Sequence, residues 1–343
     1  MTTESENQEI QNKIRNIATE LLNSKKVDVI IGYVNGTIPL DASIDFIWNS
    51  NQVNKLVWNN KCYLNLAKFL VSKEPQLQNP KDKKLNIGII TKGCIGRSLI
   101  QLYTENKIDF AQIKMIGINC NGIIDRNRIV KELGEVEILE INVIENDIVV
   151  KFMNLKGEEL IKKFPFSEYL SRSCKNCKIK TPSSTNVPQS SCYGDFQNVS
   201  NVEDSFNDLN EFEKLNFNER FNYFEKMFKL CTNCYACREA CPMCYCNLCF
   251  IDQNKPTWFG KTNNIYDIMA FHITRAIHLA GRCVDCGACS QSCPAGIDLN
   301  LITRKLQKIV KNRFGYTAGI DPKIKPPLTD FKLDDSEEFM LEE

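Results

Sequence analysis

The spacing of apolar residues divides the N-terminal half of the chain into alternating strands and helices. Four apolar runs have the length of buried strands: Val27–Val34, Leu85–Ile90, Ile113–Asn119 and Val136–Val143. Helical spacing is found at residues 6–24, 64–71, from 98 onward and 125–133. Strands alternating with helices are typical of an α/β domain with a largely parallel sheet. The stretch Val143–Gly157 is expected to add an antiparallel hairpin.

The C-terminal half has a different pattern. Residues 181–210 are rich in Ser, Asn and Pro, which is typical of a linker. Beyond them, predicted helices at 212–230 and 264–280 each run directly into a cysteine. We therefore expect an α/β domain over residues 1–200 and a mainly α-helical domain over 205–315. Residues 316–343 are expected to form an acidic, solvated tail.

Composition narrows the class of protein. Of 343 residues, 43% are hydrophobic and 25% are charged, as in ordinary globular proteins. The net charge of +1 gives no field that attracts nucleic acid, and no apolar run is long enough for a membrane span. The N-terminus is polar and acidic, unlike a secretory signal, so a cytoplasmic setting is expected. In such a reducing compartment, the 17 cysteines favour metal ligation over disulfides.

An internal repeat carries the strongest chemical signal. Cys231-x2-Cys234-x2-Cys237-x3-Cys241-Pro recurs as Cys283-x2-Cys286-x2-Cys289-x3-Cys293-Pro. This spacing is typical of two-cluster ferredoxins, in which the fourth cysteine of each run ligates the other [4Fe–4S] cluster. One cluster is therefore assigned to Cys231, Cys234, Cys237 and Cys293, and the second to Cys283, Cys286, Cys289 and Cys241. Zinc is the alternative, but zinc sites do not call for this doubled spacing.

Residues beside the repeat leave two questions open. Cys244, Cys246 and Cys249 either help to bind a further cluster or are buried thiols near the first two. The helix that leads into Cys283 resembles the α-helical ferredoxin domain of heterodisulfide-reductase-type and succinate-dehydrogenase-type iron–sulfur subunits. On that helix, His272, Arg275 and His278 either brace the cluster loops or adjust a cluster potential through hydrogen bonds to sulfur.

The N-terminal half resembles a known family in four segments: Trp58–Ala67, Ile87–Ser98, Ile116–Gly122 and Cys174–Cys177. They are similar to the beta subunits of coenzyme F-420-dependent hydrogenases and formate dehydrogenases, over roughly residues 27–195. The resemblance implies bound FAD and one further [4Fe–4S] cluster. The cysteines at the family's positions are Cys94, Cys120, Cys174 and Cys177, with Cys62 and Cys192 in reserve.

The FAD contact is placed where the second predicted strand meets its helix. Gly93, Gly96, Arg97 and Ser98 form a glycine-containing turn there. Glycines let a backbone approach a pyrophosphate, a helix N-terminus offers free N–H groups, and an arginine adds positive charge.

A flavin/iron–sulfur electron-transfer subunit is the leading functional hypothesis. FAD exchanges two electrons and iron–sulfur clusters exchange one, so the chain would convert between the two. Its expected partners are a catalytic or heterodisulfide-reductase-like redox subunit and a soluble hydride carrier, F-420 or nicotinamide. The alternatives are a flavin-free electron relay and a zinc-stabilised scaffold. With two histidines in the chain, a histidine-based acid–base site is not expected, and no catalytic residue is assigned.

Overall fold

The computed structural model describes residues 3–71, 84–185 and 187–329. Five strands form the main sheet: β1 (Val29–Asn35), β2 (Ala42–Ile47), β3 (Ile87–Thr91), β4 (Ile113–Gly117) and β8 (Cys192–Gly194). Their spatial order is β2–β1–β3–β4–β8. All neighbours in this order are parallel except β1 and β2, which pair antiparallel. The predicted α/β architecture is present, with a mixed sheet.

Helices cover the main sheet because its strands are apolar on both faces. The first five residues of β1 are buried, as is typical of strands with both faces covered. Helix α1 (Thr3–Asn23) packs on the sheet through Ile14, Ala18 and Leu21, and α2 (Gly93–Thr104) through Ile95 and Leu99. Both predicted helices are present, but α2 begins at Gly93 and not at the predicted residue 98. The segment predicted as a helix at 64–71 is a 3₁₀ helix, Leu66–Leu70.

A second, antiparallel sheet corrects one strand assignment. It consists of β5 (Glu137–Ile144), β6 (Asp147–Met153) and β7 (Glu159–Pro165). The run at 136–143 therefore joins the hairpin and is not the fourth strand of the main sheet. That place is taken by β8, from the predicted linker. A three-residue edge strand paired through its backbone leaves no apolar pattern to detect.

Eight further α-helices and several 3₁₀ helices complete the described chain. The remaining α-helices are α3 (Arg126–Leu133), α4 (Arg172–Lys175), α5 (Asn210–Lys214), α6 (Phe217–Phe228), α7 (Ala236–Glu239), α8 (Ile265–His278), α9 (Ala288–Gln291) and α10 (Asn300–Phe314). Further 3₁₀ helices are Ser50–Lys55, Phe110–Gln112, Gln189–Ser191, Asn207–Leu209, Phe250–Asp252 and Pro327–Thr329. Across the three described stretches, no helix is long and apolar enough to cross a membrane.

Of the two helices predicted beside the cysteine runs, one is divided in the structure and one is confirmed. The single helix predicted at 212–230 is divided into α5 and α6, because Asn216 and Glu219 form a capping box that starts a new helix. The helix predicted at 264–280 is confirmed as α8.

The two halves of the chain share a core. Met243 and Leu279, from the cysteine-rich half, are buried in the same cluster as the main sheet. Tyr316, at the start of the predicted tail, is buried and donates from its Oη to Gln101 Oε1 on α2 at 3.0 Å. Gly319 N donates to the same oxygen at 3.0 Å. Residues 330–343 of that tail lie outside the described residues.

Candidate metal centres

Four predicted ligands lie around one cavity at the carboxyl edge of the main sheet. Cys94 follows β3 and Cys120 follows β4, and these neighbouring parallel strands end side by side. Cys174 lies on α4, and Cys177 follows that helix. All four line one cavity of about 60 Å³. The structure thus brings together the set expected from the family resemblance, and their ligand role stays a prediction.

The electrostatics of this cavity suit thiolate ligation. Burial raises the pKa of Cys94 to about 12 and that of Cys120 to about 12, although nearby Lys92 lowers both. Burial alone would lower the pKa of Lys92, but Tyr33 and the surrounding thiols raise it. A coordinating metal removes the proton from such a thiol, because the bound thiolate neutralises metal charge. The four thiols therefore fit an iron–sulfur group.

The two ferredoxin runs adopt matching loop conformations. Asn233 and Tyr235 have positive φ angles of 54° and 57°, and the positions 52 residues later, Asp285 and Gly287, have 59° and 73°. In the first loop, Asn233 N lies 3.5 Å from Cys231 Sγ, and in the second, Asp285 N lies 3.4 Å from the sulfur of Cys283. Such N–H groups stabilise thiolates. The sequence repeat is thus a repeat of backbone geometry.

The first predicted cluster set lies around a single small cavity of about 20 Å³. Its cysteines are Cys231, Cys234, Cys237 and Cys293, and the last comes from the other run, as cross-ligation requires. Ile297 N lies 3.4 Å from Cys293 Sγ.

The second set is gathered less tightly. Burial raises the pKa of both Cys283 and Cys286, and the Cys289 thiol adds to both increases. Burial alone would lower the pKa of Arg275, but the thiols of Cys244, Cys241 and Cys289 raise it, so this cation lies near cysteines of both runs. No described cavity is lined by all four. Among the described residues, no three His, Cys, Asp or Glu side chains are arranged to hold a single metal ion.

Cys286 connects the second set with the N-terminal cavity. Together with Asp285 it lines the cavity of Cys94, Cys120, Cys174 and Cys177. The Cys94 thiol also contributes to raising the pKa of Cys286 to about 12, after burial. The N-terminal group therefore adjoins the second group of the repeat.

Helix α8 places two polar side chains against the repeat. Arg275 is buried, and its Nη2 donates to the Cys237 carbonyl at 2.9 Å. His272 stacks on Phe228 at a ring separation of 4.5 Å, and its Nε2 lies 3.4 Å from Cys231 Sγ. Burial, with a contribution from Arg275, lowers the pKa of His272 to about 3, so its ring is neutral at neutral pH.

The three additional cysteines share a larger cavity of about 510 Å³. Cys244, Cys246 and Cys249 all line it, beside Arg275. The Cys244 thiol hydrogen-bonds with Cys241, and this contact together with burial raises its pKa well above the usual value. Cys246 is exposed. Both interpretations drawn from the sequence stay open for these thiols.

The two reserve cysteines lie outside these groups. Cys62 is fully buried, and its Sγ lies 3.7 Å from Asn59 Oδ1. Cys192 starts β8, and its sulfur lies 3.6 Å from the Pro188 carbonyl oxygen. Neither lines the cavity of the four N-terminal cysteines.

The residues predicted to contact FAD are engaged with the protein itself. A Cβ at Gly93 would lie 2.0 Å from the Ile179 carbonyl oxygen, and one at Gly96 would lie 2.9 Å from Pro182 Cβ. Arg97 donates to the carbonyls of residues 284 and 318, and Ser98 is fully buried. This turn is covered by the chain and does not form an open cradle for FAD. The assignment of these four residues to FAD stays a prediction.

Two residues that the sequence interpretation missed lie at these groups. Lys92 is buried at the end of β3, where a charged residue directly after an apolar strand marks the edge at which ligand sites form. Asp285 lies between two predicted ligands and accepts from Arg304 Nη1 at 2.6 Å. The same guanidinium also pairs with Asp204 and Asp208.

Comparison with known proteins follows the family resemblance. No family model matches the chain. The F420-dependent formate dehydrogenase subunit beta of Methanocaldococcus jannaschii is 24% identical, over 89% of this chain and 91% of its own length. The F420-dependent formate dehydrogenase 1 subunit beta of Methanococcus maripaludis is 26% identical over 31% of this chain and 26% of its own. The first relative, an oxidoreductase subunit, confirms the predicted resemblance.

The chain was also compared with solved structures. A chain of the F420-reducing [NiFe] hydrogenase complex from Methanosarcina barkeri aligns with 66% of this chain and 90% of its own length, at 14% identity and a TM-score of 0.35.

Proposed function

We propose that this chain is an iron–sulfur electron-transfer subunit of a multi-subunit oxidoreductase. The observation that carries the proposal is that the N-terminal cysteine group adjoins the repeat. Cys286 of the repeat lines the N-terminal cavity, and Arg275 contacts the loops of both runs. An electron path needs its centres to be close neighbours, and a structural zinc scaffold has no such requirement.

The chain's own residues supply ligands, burial and charge. When bound, [4Fe–4S] groups exchange single electrons at potentials set by charge, hydrogen bonds and solvent exposure. The thiols of the N-terminal cavity are partly buried, which limits the access of solvent to such a group. Backbone N–H groups of the repeat point at cysteine sulfurs.

The partners in this proposal follow from the relatives. Two relatives are named as beta subunits of F420-dependent formate dehydrogenases. We include a catalytic or heterodisulfide-reductase-like redox subunit as the partner protein, and F-420 or nicotinamide as the soluble carrier.

A finer form of the proposal adds FAD as a converter between two-electron and one-electron transfer. The family resemblance supports this form. The turn at Gly93–Ser98 gives it no support, because it is covered by the chain and does not fit an open flavin site. Flavin released from anaerobically purified protein on denaturation supports this form. Flavin-free protein that transfers electrons at full rate supports the relay.

The iron–sulfur proposal is tested by iron content. We expect Cys231→Ser and Cys283→Ser each to remove about four iron atoms, the content of one [4Fe–4S] cluster. Cys192→Ser is the matched control, because its thiol lies outside all three groups, and its iron content is expected to equal that of the parent. Unchanged iron in both variants, or zinc in its place, would contradict the proposal.

A further inference from the structure

The described part of the chain buries three cationic side chains, and two of them have no carboxylate partner. Lys92, Arg275 and Arg304 are 2%, 4% and 1% exposed. Arg304 is paired with three aspartates. Among the described residues, neither Lys92 nor Arg275 forms an ion pair with a carboxylate. Burying an unpaired charge costs several kcal/mol, so each of the two cations requires an anion.

Lys92 faces the N-terminal cysteines. Its Nζ donates to the Cys62 carbonyl at 2.5 Å and lies 5.7 Å from the centre of the Tyr33 ring. A neutral carbonyl and an aromatic face compensate a buried ammonium only in part. The same side chain lines the cavity of Cys94, Cys120 and Cys174. These sulfurs are the anions within its reach once they are thiolates.

Arg275, on α8, faces the cysteines of the ferredoxin repeat as Lys92 faces the N-terminal cysteines. It donates to the carbonyl of Cys237 in the first run, and Cys289 of the second run is among its sulfur neighbours. Its Nε is buried and has no partner among the described atoms. The two carboxylate-free cations thus each face a different cysteine group.

We propose that Lys92 and Arg275 are positioning residues that act as fixed countercharges, Lys92 for the N-terminal iron–sulfur group and Arg275 for the two groups of the repeat. This inference rests on the proposed function. Thiolate-ligated [4Fe–4S] groups are anionic, and one-electron reduction adds a further negative charge. A buried cation beside them therefore favours the reduced form and raises the reduction potential.

The test is an anaerobic redox titration followed by EPR, on the full chain. The N-terminal signal is identified as the one that Cys174→Ser removes. Lys92→Gln keeps a donor for the Cys62 carbonyl but loses the charge. We expect it to lower the reduced-to-oxidised ratio of that signal at least tenfold at a fixed potential, which is 59 mV for a one-electron couple. For the signals of the repeat, the same ratio should change less than twofold.

Two further variants separate charge from packing. Lys180→Met removes an exposed cation that lines the same cavity, where water screens the charge, so it should leave the ratio within twofold. Arg275→Met should reverse the pattern, because it shifts the signals of the repeat and leaves the N-terminal signal in place.

The possible outcomes distinguish failure of the countercharge role from failure of the proposed function. Equal potentials in the parent and Lys92→Gln, with full iron in both, would overturn the countercharge role. If Lys92→Gln accumulates as folded protein and loses only the N-terminal iron, the countercharge role is supported, because the charge is then needed to retain the iron–sulfur group. Lys92→Met should in that case lose the same iron. If the parent protein itself lacks the N-terminal signal, it is the proposed function that fails there.

Discussion

A buried ion pair between the two halves of the chain gives the sharpest stability prediction. Glu105, at the end of α2, accepts from Arg282 Nε at 2.9 Å and from its Nη2 at 2.7 Å. The two side chains are 6% and 15% exposed. The Tyr245 hydroxyl donates to the same carboxylate, and the Arg282 guanidinium lies over the Tyr245 ring. This contact joins the α/β part to the cysteine-rich part.

Glu105→Gln keeps the shape of the side chain and removes its charge. Breaking one side of a buried pair costs about 3–5 kcal/mol, because the remaining ion stays buried. We expect a loss of about 3 kcal/mol, since glutamine can still accept one of the bonds. Such a loss is a large part of a typical unfolding free energy of about 5–15 kcal/mol.

The same pair predicts a pH dependence with a definite sign. Burial alone would raise the pKa of Glu105, but hydrogen bonds and charge from Arg282 lower it below its ordinary value of 4.5. A depressed folded-state pKa stabilises the protein above the unfolded-state value and stops doing so as pH falls. The difference between parent and variant should therefore be constant from pH 7.5 to 5.5 and shrink below about pH 4.5.

Equilibrium urea unfolding under anaerobic conditions, followed by tryptophan fluorescence, measures both effects. Glu135→Gln is the matched control, because Glu135 is exposed and its substitution should change the unfolding free energy by less than about 0.5 kcal/mol. A loss below about 0.5 kcal/mol in Glu105→Gln at pH 7.5, with no change at lower pH, would refute the reasoning.

Three further predictions concern single positions. Arg304→Leu leaves three aspartates without their buried cation and should cost about 3–5 kcal/mol, whereas Arg313→Leu, at an exposed site on the same helix, should be near neutral in the same urea assay. In thermal unfolding, Gly319→Ala should cost about 1–3 kcal/mol more stability than Gly315→Ala. Both positions have positive φ, but only a Cβ at Gly319 would lie 2.2 Å from a backbone oxygen. Cys174→Ser should remove about four iron atoms and leave the repeat loaded, which iron analysis with EPR will show.

Some of this arrangement could be predicted because it is local. The buried strands β1, β3 and β4 were visible as apolar runs, and α1 as a helical stripe. The cysteine repeat predicted matching loops, and the left-handed residues at equivalent positions agree with it.

The remainder depends on tertiary context. Periodicity does not indicate which sheet a strand joins, so β5 was assigned to the wrong one. Nothing in the sequence around Arg97 shows that distant carbonyls satisfy its guanidinium, which made it resemble a free anion-binding group. The burial of Lys92 without a carboxylate was equally hidden, because partners far apart along the chain determine it.

The return of the chain onto α2 has a consequence for how the protein is made. Arg97 on α2 and the carbonyl that it binds, at Ala318, are separated by 221 residues. At translation rates of about 5–20 residues per second, roughly 10–45 s pass between the synthesis of the two. For most of that interval, until residue 286 is synthesised, the cavity of Cys94 and Cys120 lacks the wall that Cys286 provides. All four N-terminal cysteines of this cavity are therefore synthesised before the C-terminal residues that cover them.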